Sequence, residues 1–216
     1  MLARMVGSRD VLAAAETCRR VFEPVLERDW TVPVPGLDFT VASALAHAAN
    51  VGLWYAADLW VGLGDDGAYE VKVRPDDPNE KILKSLLVAA QVCAASIAAA
   101  PPTTRGFHPF GAADPSGFAA MACDELLVHG DDAARGLGLR LEPDPDLAAR
   151  VLARLYPWHP SAADPWQGLL WANGRIDIAG LPNQQGWRWH SQPLSEWDGS
   201  TPVLATDRTA PATPPG

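Results

Sequence analysis

The stretch "MACDELLVHGDDAARGLG", Met121 to Gly138, is where the reading of this chain begins. Its apolar residues recur at helical spacing, and it closes on Gly136 and Gly138, as helices commonly do. Within it Glu125 and His129 stand four residues apart, so both side chains leave one face of the helix. A solvated face explains such a pair, and so does a metal. The rest of the chain decides between them.

Working outward, "DPSGF" supplies the start of this helix, with Asp114 as N-cap and Pro115 in the first helical position. Three further amphipathic segments precede it. The first runs from about Arg9 to Asp29. The second, "VASALAHAANVGLWYAADLWVG", follows the Pro- and Gly-broken stretch "TVPVPGLDFT", is capped by Thr40 and ends at the polar turn "GLGDDG". The third starts after "RPDDPNE" and stops at Pro101–Pro102. Four long helices with short or moderate loops predict a mainly α four-helix bundle over residues 1–140.

Beyond Leu141 the texture changes. "DPDLAARVLARLY" and "DPWQGLLWANG" predict two shorter helices, each opened by Asp–Pro. The following "IDIAGLPNQQGWRWHSQPLSEWDG" predicts a short ribbon or α+β segment. Six of the nine tryptophans fall between Trp158 and Trp197. That density predicts a Trp-rich segment, residues 141–200, packing on the bundle and walling a cleft. Residues 201–216 read as a Pro-rich tail without regular structure.

Composition sets the outer bounds. The 216 residues are 48% hydrophobic and 20% charged, ordinary values for a soluble domain. The formal net charge of −9 argues against a nucleic-acid surface and against an anionic membrane. No apolar run suggests a membrane span and no leader peptide is recognisable. Cys18, Cys93 and Cys123 are far apart and odd in number, so they read as buried free thiols in a reducing cytoplasm.

A metal needs a third ligand besides Glu125 and His129. The second helix offers one histidine, His47, among Ala, Leu and Val. Taken alone, His47 reads as a packing residue. Taken with the other pair it completes three N/O ligands with a fourth position free, the donor set of catalytic zinc. Asp132 shares the Glu125–His129 face and is a candidate to hold a ligand histidine or act as a general base. Asn50 and Trp54 follow His47 at i+3 and i+7, which places Asn50 as a substrate hydrogen-bonding candidate and Trp54 as a cofactor-lining one. Arg175 closes "WANGR" and is a candidate clamp for a carboxylate of substrate or thiol. His108, His159 and His190 lack partners at ligand spacing and read as structural.

At this point a family becomes recognisable. "DELLVHGDDAARGLGL" resembles the E-x-x-x-H-G-x-D-x-A-x-A-x-G signature of the mycothiol-dependent maleylpyruvate isomerase family, within the DinB-like superfamily. "VPVPGLDFTVASALAHAANV" resembles that family's other signature, and "DPWQGLLWANGR" is similar, more loosely, to a third segment. The resemblance implies an up-and-down bundle holding a divalent metal, usually Zn²⁺, on His47, Glu125 and His129. It also implies mycothiol or a related low-molecular-weight thiol as cofactor, and a small electrophile as substrate. The expected activity is cis–trans isomerisation or S-transfer by a monomer or homodimer. The part after Leu141 is short beside the α/β domain of the founding isomerases, which favours a substrate other than maleylpyruvate. Two other functions fit the same residues: a metal-dependent hydrolase on the same bundle, and a non-catalytic metal-stabilised binding protein.

Overall fold

In the computed structural model of the chain, residues 4–63, 70–159, 164–180, 184 and 188–201 are described. Four long helices come first: α1 (Ser8–Phe22), α2 (Val41–Val61), α3 (Asn79–Ala99) and α4 (Pro115–Gly136). Two short ones follow, α5 (Pro145–Leu155) and α6 (Pro165–Ala172). α1 packs against α3 and α4, and α2 packs against the same two, while α5 bridges α4 and α6.

Local chemistry sets the boundaries. α1 ends earlier than its apolar pattern suggests, because Pro24 enters a 3-10 turn over Glu23–Val25. Trp30 then folds back, buried, with its ring edge-on to Phe22 at 5.6 Å and its indole N–H donating to the Val25 carbonyl. Thr40 and Ser43 cap α2 reciprocally: the Thr40 hydroxyl accepts from the Ser43 N–H, and the Ser43 hydroxyl accepts from the Thr40 N–H. Asp114 caps α4 by accepting from the Gly117 N–H at 2.8 Å, with Pro115 in the first turn as expected. At its other end Leu139 N–H returns to the Ala134 carbonyl and Gly138 N–H to that of Arg135. This closing geometry needs a left-handed residue, which Gly138 provides at φ +68°.

α4 is the central helix. Nearly every side chain along it is buried, charged ones included. Gly130 lets it approach its neighbours: a Cβ there would lie 2.7 Å from Leu141 Cδ1 and 3.0 Å from Cys18 Sγ. Cys18, Cys93 and Cys123 are buried free thiols. By length and composition α3 is apolar enough to cross a membrane, which corrects the expectation that no segment would be. Its Ile82, Leu83, Leu86, Ala90, Cys93 and Ile97 are buried in the bundle core, and a soluble core helix meets the same criterion.

The predicted ribbon after α6 is not seen among the described residues. Among the described residues there is no strand, only isolated bridges such as Pro33 with Thr40 and a closing 3-10 turn at Leu194–Glu196. The backbone there is satisfied by helix residues instead of a second strand. His190 N–H donates to the Leu155 carbonyl, and Arg154 donates to the carbonyls of His190 and Ser191. Arg154 also forms a buried 2.6 Å pair with Asp114, so one guanidinium ties α5, the α4 cap and the C-terminal loop together. Arg150 does the same for α1, reaching Asp10 at 2.6 Å. Most of the turn "GLGDDG" and residues 202–216 of the expected tail lie outside the described residues.

Candidate metal centre

His47 comes from the middle of α2, and Glu125 and His129 from successive turns of α4. The bundle brings one donor atom of each within 4.8 Å of the others. Glu125 Oε2 lies 3.2 Å from His129 Nε2 and 3.7 Å from His47 Nε2. The two imidazoles meet edge to face, with ring centroids 4.8 Å apart. Phe39, delivered by the turn that precedes the Thr40 cap, packs against both rings at 5.6 and 5.7 Å.

Glu125 Oε2 is buried and has no well-aligned hydrogen-bond donor. An anionic oxygen left this way is costly in a core. Two imidazole nitrogens and one carboxylate oxygen are also the donor types that zinc favours, so the residues fit a divalent metal.

Electrostatics inside the cluster follow from crowding of opposite charges. Burial opposes the imidazolium of His129, yet the Asp132 and Glu125 carboxylates outweigh it and carry its pKa up to about 9. Burial pushes His47 the other way, below its usual value, with Glu125 opposing and His129 adding to the fall. Burial works against the Glu125 carboxylate too, but His129, His47 and Arg175 together hold its pKa below the ordinary range. The adjacent Asp124, fully buried beside Glu125, is pushed up to about 7 despite a hydrogen bond from the Asn173 amide at 2.9 Å.

Asp132 organises the cluster from behind. Its side chain is wholly buried, with Oδ2 3.3 Å from His129 Nδ1. Arg175 donates to it through Nη2 at 2.8 Å and Nε at 3.1 Å, and Arg135 pairs with its other oxygen. Burial would raise its pKa, but His129 and Arg175 win and bring it to about 2. It is therefore a fixed anion that stands close behind His129 and holds Arg175. Arg175 in turn donates to the Asn173 carbonyl at 2.8 Å.

Over the ligand face lies a cavity of about 160 Å³, lined by Asp124, Glu125, Val128, His129, Asn173, Arg175 and Trp189. Arg175 lines this cavity together with Glu125 and His129. Asn50 and Trp54 do not line this cavity. The Asn50 side-chain oxygen accepts from the Val73 N–H at 2.5 Å, and the Trp54 indole donates to the Val71 carbonyl at 3.3 Å. Both hold the segment before α3 against α2. Asp131 likewise turns away, accepting from the Leu141 N–H at 3.2 Å.

Four cavity-wall residues escaped the sequence reading, Asp124, Val128, Asn173 and Trp189, as did Phe39 against the histidine rings. Phe39, Asp124, Val128 and Asn173 sat inside the family-like segments, so their positions carried a signal. Trp189 is fixed by an indole bond to the Tyr156 hydroxyl at 2.6 Å, a long-range contact with no local signature. The other histidines are packing residues: His108 sits between Tyr55, Phe110 and Trp189, His159 against Trp171, and His190 Nε2 lies 3.1 Å from the Pro193 carbonyl.

The family model described as the mycothiol maleylpyruvate isomerase N-terminal domain matches residues 11–134, more than half of the chain. No curated protein and no solved structure matches.

Proposed function

The chain belongs to the mycothiol maleylpyruvate isomerase N-terminal domain family, and from that premise we propose that it is a divalent-metal- and mycothiol-dependent enzyme. It isomerises a small electrophile or transfers the thiol sulfur to one. The observation that carries this reading is the convergence of His47, Glu125 and His129 within 4.8 Å around a buried carboxylate oxygen with no well-aligned hydrogen bond.

His47, Glu125 and His129 would hold the ion, which we take to be Zn²⁺. Such an ion, once bound, would lower the pKa of a thiol and so supply a thiolate nucleophile near neutral pH. The remaining work falls to the protein. Asp132 keeps His129 turned toward Glu125 and fixes the guanidinium of Arg175. Arg175 lines the cavity with donors to spare, suited to a carboxylate on substrate or thiol. Phe39 packs against both histidine rings, and Trp189 forms part of the cavity wall. The cavity is small, so the electrophile is small, or most of the thiol lies outside it. Three buried free thiols suit a reducing cytoplasm, where we place the protein.

The test is turnover. Zinc-loaded protein should convert an electrophilic substrate from a panel of cis-enones and activated carbons only when mycothiol is present. Turnover without any thiol would favour a hydrolase, and no turnover across the panel would favour a binding protein.

A further inference from the structure

A second concave site lies away from the metal centre. The segment before α3 and the first turns of α3 enclose a groove of about 470 Å³, lined by Lys72, Val73, Arg74, Asp77, Lys81, Ile82, Lys84 and Ser85. Lys72, Lys81 and Lys84 are the only lysines in the chain; every other basic side chain is an arginine. A protein of net charge −9 thus gathers all of its lysines, with Arg74, around one groove.

The one acid lining the groove does not neutralise it. Asp77 pairs with Arg74 at 2.8 Å and lies 3.9 Å from Lys81. Lys72 and Lys84 are exposed and have no carboxylate partner among the described residues. The cations also sit against local preference. Lys81 falls in the first turn of α3, where the helix dipole disfavours positive charge, next to Glu80, the acid that the dipole favours there. Of the groove's lining residues four are cationic and one is acidic, with Glu70, Asp76 and Glu80 flanking them in the sequence. Val73 and Ile82 give the groove an apolar side, and Ser85 offers a hydroxyl. Its volume falls in the range of small-molecule sites.

We propose that this groove binds a small soluble phosphate-bearing ligand, with Lys72 and Lys84 as its main charge contacts and Arg74 and Lys81, steadied by Asp77, beside them. A phosphate ester or diphosphate matches the groove's excess of cations better than a single carboxylate does. Lysine suits it because the ammonium acts as a point charge on phosphate without needing a fixed fork. The site is independent of the metal reading and stands if that reading fails.

Inorganic pyrophosphate is the probe, titrated calorimetrically into the full chain at low ionic strength. The expected result is saturable binding at one site, weakened at least about tenfold in the double variant K72Q/K84Q. Two controls locate it. R9Q removes an exposed cation on α1, and H47A removes a donor from the metal centre; neither should change the affinity. Circular dichroism of K72Q/K84Q should match the parent, since both side chains are exposed. Four results would overturn the proposal: no saturable binding, an equal loss in R9Q, a loss in H47A that puts the anion at the metal centre, or binding to phosphatidylglycerol vesicles without binding to pyrophosphate.

Discussion

Replacing Asp132 by Ala separates the parts of the account most sharply. The carboxylate is fully buried, receives Arg175 through two nitrogens at 2.8 and 3.1 Å, pairs with Arg135, and lies 3.3 Å from His129 Nδ1. Removing one partner of a buried ion pair costs about 3–5 kcal/mol when the other charge stays stranded. Here the arginine side chains are 20% and 23% exposed and can turn toward water, so the lower end, about 3 kcal/mol, applies. The effect on metal is separate. Loss of the carboxylate that orients a ligand histidine lowers metal affinity about 10–100-fold, or about 1.4–2.8 kcal/mol. Asp132→Asn keeps an acceptor for one arginine and should lose less on both counts. Urea unfolding of chelated protein measures the first quantity, and zinc competition against a chromophoric chelator measures the second. Should Asp132→Ala lose stability yet bind zinc as tightly as the parent, Asp132 supports only the fold and its role at His129 is refuted.

Two other perturbations test the framework around the site. Arg154→Met strands Asp114 and two loop carbonyls in a region where Arg154 is only 4% exposed, so urea unfolding should show a loss of about 3–5 kcal/mol; a loss under 1 kcal/mol would mean the C-terminal loop is held by its aromatic contacts instead. His108 is buried and its ring accepts the Phe110 N–H, and burial brings its pKa from 6.5 down to about 4. Between those values the unfolded chain takes up a proton that the folded chain refuses, so this contribution is complete above pH 6.5 and vanishes as pH falls to 4. It is worth about 3 kcal/mol at most. His108→Asn should flatten the acid limb of the stability–pH curve by that amount, and an unchanged limb would show that other groups carry it.

Much of this molecule was legible because local chemistry fixed it. Thr40, Asp114 and the Asp–Pro pairs at 144–145 and 164–165 mark helix starts through bonds made within three residues. Glu125 and His129 were readable because i,i+4 geometry is rigid, and His47 because one histidine stands in an otherwise apolar helix. The fate of Asn50 and Trp54 was not. Helical spacing places a side chain on a face, but α2 is covered on several faces, and only the fold shows that residues 71 and 73 occupy this one. Phe39 and Trp189 reach the site from loops, whose paths depend on distant partners such as Tyr156. The C-terminal ribbon failed for a related reason. Short apolar stretches between turn residues read alike whether the backbone pairs with a strand or, as here, with Leu155 and Arg154.

The most direct test of the central claim is the metal content of purified protein and its single-site variants. Elemental analysis should find close to one divalent ion per chain in the parent. His47→Ala and His129→Ala should each lose most of it, and Glu125→Gln should lose less, since an amide oxygen still ligates but brings no charge. Full occupancy in both histidine variants, with helical circular dichroism intact, would contradict a metal centre built on these three residues.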